Sequence, residues 1–131
     1  MFNVEEKSDV RGSDGILNSV SMREQTFNEE MANCATHGVG AVLSVAALIV
    51  LVTLAGIKGN ILQVVSFSIY GSTLILMYLS SSLYHCFASP RVKLIFQLAD
   101  HSAIFLLIAG TYTPFTLISL RGPWGWTLFV L

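Results

Sequence analysis

Residues 38–57 read GVGAVLSVAALIVLVTLAGI, a run of twenty residues that carries no charge. A helix rises about 1.5 Å per residue, so this run is long enough to cross a hydrocarbon core about 30 Å thick. Two more uncharged runs follow, at residues 61–84 and 102–120. The sequence therefore predicts three membrane-spanning helices, with a turn at Lys58, Gly59 and Asn60 and an interfacial loop that contains Arg91 and Lys93.

The composition agrees with a membrane protein. Of the 131 residues, 53% are hydrophobic and 11% are charged, and the mean hydropathy is +0.68. A soluble domain carries about a quarter charged residues. Seven of the eight acids lie within the first 30 residues. These properties exclude a soluble two-layer domain, an acidic disordered protein and a nucleic-acid binder with a basic face. We expect the chain to contact membrane lipid and no nucleic acid.

The charges before the first span predict how the chain enters the membrane. Residues 1–25 are polar and are predicted to form a disordered cytoplasmic tail. Thr26 and Glu29 have the spacing of a capping box, which predicts that the first helix begins there. Basic residues favour the cytoplasmic side. Five of the seven bases fall on the same side as the N-terminus, namely Lys7, Arg11, Arg23, Arg91 and Lys93. This distribution predicts a multi-pass cell-membrane protein with a cytoplasmic N-terminus.

The last apolar segment is short. Residues 124–131 provide about 12 Å of helix, which is less than a span needs. We therefore expect this chain to be the N-terminal part of a longer protein. The predicted fold class is all-α, a polytopic transmembrane helical bundle with three full spans and the start of a fourth.

Polar residues gather at the span ends that share the cytoplasmic side in this topology. They are Glu30, Asn33, His37, Ser81, His85, Asp100 and His101. An unpaired carboxylate in lipid costs about 2.5–3.5 kcal/mol, so Asp100 is expected to face the protein interior with a partner. A histidine, a carboxylate and a hydroxyl at one depth are compatible with a zinc site, in which imidazole binds the metal and the other groups orient a bound water.

Structural roles would explain the same residues. Small residues such as serine allow close helix packing in membranes, and a carboxylate is a common helix cap. The alternatives are Asp100 as the N-cap of the third helix, His101 directed towards lipid headgroups, Ser80 to Ser82 as packing residues, and His37 as a hydrogen-bonded member of the bundle. The two cysteines, Cys34 and Cys86, also fall near the cytoplasmic side, where thiols stay reduced, so no disulfide is expected.

Three blocks of this sequence resemble a known family. They are residues 29–38 (EEMANCATHG), 81–85 (SSLYH) and 100–114 (DHSAIFLLIAGTYTP). In this order they resemble the bacterial hemolysin III proteins, which belong with the progestin and adiponectin receptors to a superfamily of seven-helix membrane proteins that includes hydrolases. The resemblance covers residues 26–131 and implies that they are the N-terminal part of a seven-helix transmembrane domain.

The resemblance also implies a zinc site. By its motifs His85 is a metal ligand, while Asp100 holds the zinc-bound water and Ser81 supports it, both as catalytic residues. Glu30, Asn33 and His37 match a further motif whose role the resemblance leaves open. Two more histidine ligands are expected beyond residue 131, in a His-x-x-x-His pair. A catalytic zinc normally takes three protein ligands, so this chain alone is not expected to hold zinc tightly.

These inferences lead to one function hypothesis and two alternatives. The first is a zinc-dependent membrane hydrolase that cleaves a lipid amide or ester. The second is a pore-forming cytolysin, although the predicted spans carry no ring of charges that would line a pore. The third is a receptor or lipid-homeostasis protein in which zinc is structural.

Overall fold

A computed structural model describes residues 26–131, and the secondary structure in this range is entirely helical. The predicted tail at residues 1–25 lies outside the described residues. The helices are α1 (Phe27–Lys58), α2 (Ile61–Cys86), α3 (Pro90–Pro114), a π-helical segment (Phe115–Leu120) and α4 (Pro123–Val130). Three of the helical stretches, α1, α2 and α3 with its π-helical continuation, are long and apolar enough to cross a membrane. The predicted all-α fold class with three spans is confirmed.

Local sequence signals explain where α1 and α2 begin. The Thr26 side chain accepts a hydrogen bond from the Glu29 backbone N–H, and the Glu29 carboxylate accepts one from the Thr26 N–H at 2.8 Å. Asn60 and Gln63 repeat this reciprocal capping box at the start of α2, with both distances at 3.1 Å. Each box satisfies backbone donors that the first helical turn leaves without partners. The predicted first helix start and the predicted turn at Gly59 are therefore confirmed.

The start of α3 differs from the prediction. The helix begins at Pro90, so Arg91 and Lys93 lie in its first turn and not in an interfacial loop. Proline fits the first helical position because its missing N–H would have no intrahelical partner there. The early start also places Asp100 ten residues inside α3, so the interpretation of Asp100 as an N-cap is wrong.

The other end of α3 is irregular at a proline. Pro114 lacks the N–H of a regular helix, and the chain continues as a π-helix over Phe115–Leu120. Arg121 and Gly122 then turn the chain with positive φ angles of 31° and 81°. The final helix begins at Pro123. Gly125 lies so close to the Thr116 carbonyl oxygen that a Cβ at this position would overlap it.

The helix contacts are formed largely by small and hydroxyl-bearing residues. α2 packs against α1 on one side and α3 on the other. Ser44, Ser66, Gly71, Gly110 and Thr113 are buried in these contacts, whereas many large apolar side chains are exposed on the outside. Lipid solvates large apolar side chains well, so close backbone approach through small residues is the usual basis of helix association in a membrane.

Candidate functional site

The candidate site forms where three helix ends meet. α1 and α2 are antiparallel, and the short connection Phe87 to Ser89 returns the chain into α3. The first turns of α1 and α3 therefore lie beside the last turn of α2. This arrangement brings together Glu30 from α1, His85 from α2 and Lys93 from α3, which we call the polar triad.

Glu30 joins the polar triad by using both of its carboxylate oxygens. Its Oε2 lies 3.2 Å from Nδ1 of His85, and its Oε1 accepts a hydrogen bond from Nζ of Lys93 at 2.5 Å. The side chains of Glu30 and His85 are only 19% and 11% exposed, and that of Lys93 is 32% exposed. The carboxylate is therefore the link that ties both α2 and α3 to the beginning of α1.

The polar triad lies in a groove of about 470 Å³. Its walls include the apolar side chains of Phe27, Met31 and Phe87 beside the polar triad, so we call it the triad groove. A smaller cavity of about 230 Å³ lies at the opposite end of the bundle, next to Asn60 and Trp126, and its lining contains no histidine or carboxylate. Of these two cavities, the triad groove is the one with candidate site residues.

His37 lies one layer deeper than the polar triad. Its ring centroid is 6.0 Å from that of His85 and 5.9 Å from that of Tyr78. Its Nδ1 is buried and makes no hydrogen bond within the described part of the chain. His37 thus contacts the candidate site, as its position in the sequence suggested. The structural alternative expected a hydrogen-bonded His37, whereas Nδ1 of this residue has no hydrogen-bond partner among the described residues.

Asp100 belongs to this deeper layer by helix geometry. It follows Lys93 by seven residues, which places it on the same face of α3 about 10 Å further along the axis. His37 lies seven residues after Glu30 on α1, and Tyr78 lies seven residues before His85 on α2, so both belong to the same deeper layer. Asp100 is half-buried, and its carboxylate makes no hydrogen bond or ion pair with any residue in 26–131. The expected partner of Asp100 is therefore not found among these residues, and Lys93 pairs with Glu30.

The other predicted residues take different positions. Ser81 is buried, with 3% of its surface exposed, one turn before His85 on α2. Asn33 is half-buried, and its backbone carbonyl accepts a hydrogen bond from the Thr36 hydroxyl at 3.2 Å. His101 is exposed, and its Nδ1 lies 2.7 Å from the Gln97 carbonyl oxygen. The structure brings none of these three into the polar triad.

A disulfide beside the polar triad corrects the prediction of two free thiols. Cys34 lies one turn after Glu30, Cys86 directly follows His85, and the two cysteines are bonded. The antiparallel α1–α2 pair brings their Cα atoms to 5.3 Å, which is within the ordinary range for a disulfide. The prediction considered only the redox state of the compartment and missed this proximity.

Ser82 supplies a further contact that the sequence did not single out. Its hydroxyl donates a hydrogen bond to the Cys34 carbonyl oxygen at 3.0 Å, which joins α2 to α1 next to the disulfide. By contrast, the Ser80 hydroxyl donates to Met77 within its own helix. From the sequence, close packing was the structural alternative for Ser80 to Ser82 alike, because the orientation of each hydroxyl depends on how α1 and α2 pack.

Comparisons with known proteins place this chain in a family. The family described as "Haemolysin-III related" matches residues 25–131. Hemolysin-3 of Bacillus cereus is 53% identical over 107 residues, which cover 82% of this chain and 49% of that protein. A hemolysin-3 homolog of Bacillus subtilis (strain 168) is 48% identical over 106 residues, 81% of this chain and 50% of that protein.

The matched region includes all the described helices and the polar triad. The chain spans about half the length of the curated relatives it matches. No solved structure matches it. Because the family match covers most of the sequence and the helices are long and apolar enough to span a membrane, this chain is a multi-pass membrane protein that belongs to the hemolysin III family.

Proposed function

We propose that this protein is a zinc-dependent membrane hydrolase that cleaves a lipid amide or ester at the triad groove. The observation that carries the proposal is the mixed lining of that groove, where Glu30, His85 and Lys93 lie beside Phe27 and Phe87. A lipid presents an apolar chain next to a polar amide or ester. Ligand sites are mostly apolar with a few well-placed polar groups, and the triad groove has this composition.

His85 fits a metal site as one ligand. Metal-binding histidines usually direct their second ring nitrogen to a carboxylate or carbonyl, and Glu30 occupies that position at Nδ1. No group of three histidine, cysteine, aspartate or glutamate residues in 26–131 is arranged to hold a metal ion. The described residues therefore do not complete a zinc site, and the proposal takes the remaining ligands to be the His-x-x-x-His pair that the resemblance implies.

Zinc, when bound, would supply a water with a pKa near about 7 and so hydroxide at neutral pH. Asp100 is proposed to orient this water and accept its proton, because its carboxylate is half-buried and has no partner in the described chain. Ser81, buried one turn from His85, is proposed to donate a hydrogen bond to this water or to the lipid carbonyl. The lipid would enter through the triad groove and react between His85, which lines the groove, and the deeper Asp100.

The name of the relatives, Hemolysin-3, supports a pore-forming cytolysin as a second candidate. A zinc-containing receptor or lipid-homeostasis protein remains the third. The three differ in measurable products. A hydrolase releases fatty acid and requires the metal, a pore releases vesicle contents without it, and a receptor binds the metal but leaves the lipid intact.

The test reconstitutes full-length Bacillus cereus hemolysin-3 in vesicles that contain either an ester-linked or an amide-linked lipid and an entrapped dye. The control is the same protein with alanine at the position that matches His85. We expect fatty-acid release that a chelator abolishes and that the control lacks. Dye leakage that a chelator leaves unchanged, with no fatty-acid release, would replace the hydrolase with the pore. Bound zinc without fatty-acid release or leakage would favour the receptor.

A further inference from the structure

We infer that Glu30 is a positioning residue for His85. Its carboxylate holds the imidazole in the tautomer with the proton on Nδ1, which leaves the lone pair of Nε2 available to a ligand. The identity of that ligand as zinc rests on the proposed function. The control of the tautomer by Glu30 does not, so the two can be tested separately.

The geometry of the pair determines which nitrogen carries the proton. Nδ1 of His85 lies 3.2 Å from Oε2 of Glu30. An ionised carboxylate can only accept hydrogen bonds, so Nδ1 must donate and therefore carries the proton of a neutral ring. The other nitrogen of a neutral imidazole is then an acceptor or a metal ligand. A carboxylate at one ring nitrogen thus sets the chemistry of the opposite one.

Two neighbours hold the pair in this orientation. Lys93 donates to Oε1 of Glu30, which favours the ionised carboxylate and restrains its rotation. The Tyr84 ring packs against the His85 ring with centroids 4.7 Å apart. Because only 11% of the His85 side chain and 19% of the Glu30 side chain are exposed, few water molecules can compete for the hydrogen bond.

A purely structural role for Glu30 would give a different result. The ion pair between Glu30 and Lys93 already joins α1 to α3, so removal of Glu30 could affect stability without any effect on the His85 ring. Stability alone therefore does not test the inference. The proton position on His85 does, because a Glu30 that only joins the helices would not determine it.

The experiment is nitrogen NMR of the ¹⁵N-histidine-labelled chain in detergent, in alkaline buffer where imidazole rings are neutral. The chain has three histidines, and their NMR signals are assigned by substitution of one histidine at a time. We compare Glu30→Ala and Glu30→Gln with the unmodified chain, and Glu29→Gln is the matched control because it removes a charge from the same helical turn. His101 is an internal reference, since its Nδ1 lies next to the Gln97 carbonyl and not near Glu30.

We expect the proton of His85 on Nδ1 in the unmodified chain and in Glu29→Gln. Glu30→Ala should move most of it to Nε2. Glu30→Gln should do the same, because its single amide oxygen accepts from Lys93 and its NH2 group then faces Nδ1. The His101 signals should stay constant, which shows that α3 is unchanged around His101. A proton on Nε2 in the unmodified chain, or an unchanged His85 signal in Glu30→Ala, would overturn the inference.

A second measurement separates the inference from the proposed function. In full-length Bacillus cereus hemolysin-3, alanine at the position that matches Glu30 should weaken zinc binding about 10–100-fold, as is typical for residues that orient a metal-bound histidine. If the NMR result holds but the full-length protein binds no zinc, the proposed function fails and the positioning role stands. If zinc binds equally well with and without the glutamate, the role of Glu30 towards the metal is refuted.

Discussion

Gly40→Ala should destabilise the bundle at the deeper layer of the candidate site. Gly40 lies on α1 three residues after His37, against the ring of Tyr78. A Cβ at this position would lie 2.7 and 2.8 Å from Cδ1 and Cε1 of Tyr78, and 3.1 Å from its Cγ. Ordinary contacts between carbon atoms begin near about 3.5 Å, so the ring must move away from α1.

Overpacking of this kind costs about 1–3 kcal/mol. Replacement of a helical glycine by alanine also favours the helix, by up to about 1 kcal/mol. Gly56→Ala on the same helix provides the matched control, because no atom beyond its own helix lies within 4 Å of the added Cβ. The helix-propensity gain is common to both variants, so their difference isolates the contact with Tyr78.

Thermal unfolding of the purified chain in detergent measures this difference. We expect Gly40→Ala to be less stable than Gly56→Ala by about 1–3 kcal/mol, with a correspondingly lower Tm. The aromatic contact between His37 and Tyr78 should also weaken, which NMR of the His37 ring detects. Equal stability of the two variants would refute the close packing of α1 and α2 at Tyr78.

Three further predictions test the disulfide, the hydrogen bond beside it and the topology. In the purified protein, away from the reducing cytoplasm, Cys34 and Cys86 should resist alkylation until a reductant is added. Labelling of both thiols without a reductant would contradict the disulfide. Ser82→Ala should cost about 0.6 kcal/mol, the usual value of a hydrogen bond between membrane helices, whereas Ser80→Ala should cost less because its hydroxyl bonds only within α2. A reporter fused after residue 20 should be cytoplasmic and one inserted at Gly59 external, since the distribution of bases favours this orientation. The reverse result would place the polar triad on the outer side.

The spans were predictable from the sequence because their signals are local. Each apolar run is continuous, and the capping box at Thr26 lies a few residues from the helix start that it marks. The start of α3 was missed for a local reason as well. Arg91 and Lys93 follow a proline and have the appearance of a loop, yet charged side chains are compatible with a helical turn that begins at Pro90.

The contacts of the candidate site were predictable only in part. The topology places Glu30 and His85 at the same end of the bundle, and the structure brings them within 3.2 Å. The partner of Lys93 and the pairing of Cys34 with Cys86 depend on the rotation and register of helices that are far apart in sequence. The seven-residue spacing from Lys93 to Asp100 was a usable signal, because it places Asp100 one layer deeper than the polar triad.

The most direct test of the account is the zinc content of purified full-length Bacillus cereus hemolysin-3 after dialysis against a weak chelator. We predict about one zinc per chain, which is lost when the position that matches His85 is changed to alanine and retained when the position that matches His101 is changed. A protein without bound zinc, or zinc that survives the change at the position matching His85, would contradict the proposal that His85 is a metal ligand.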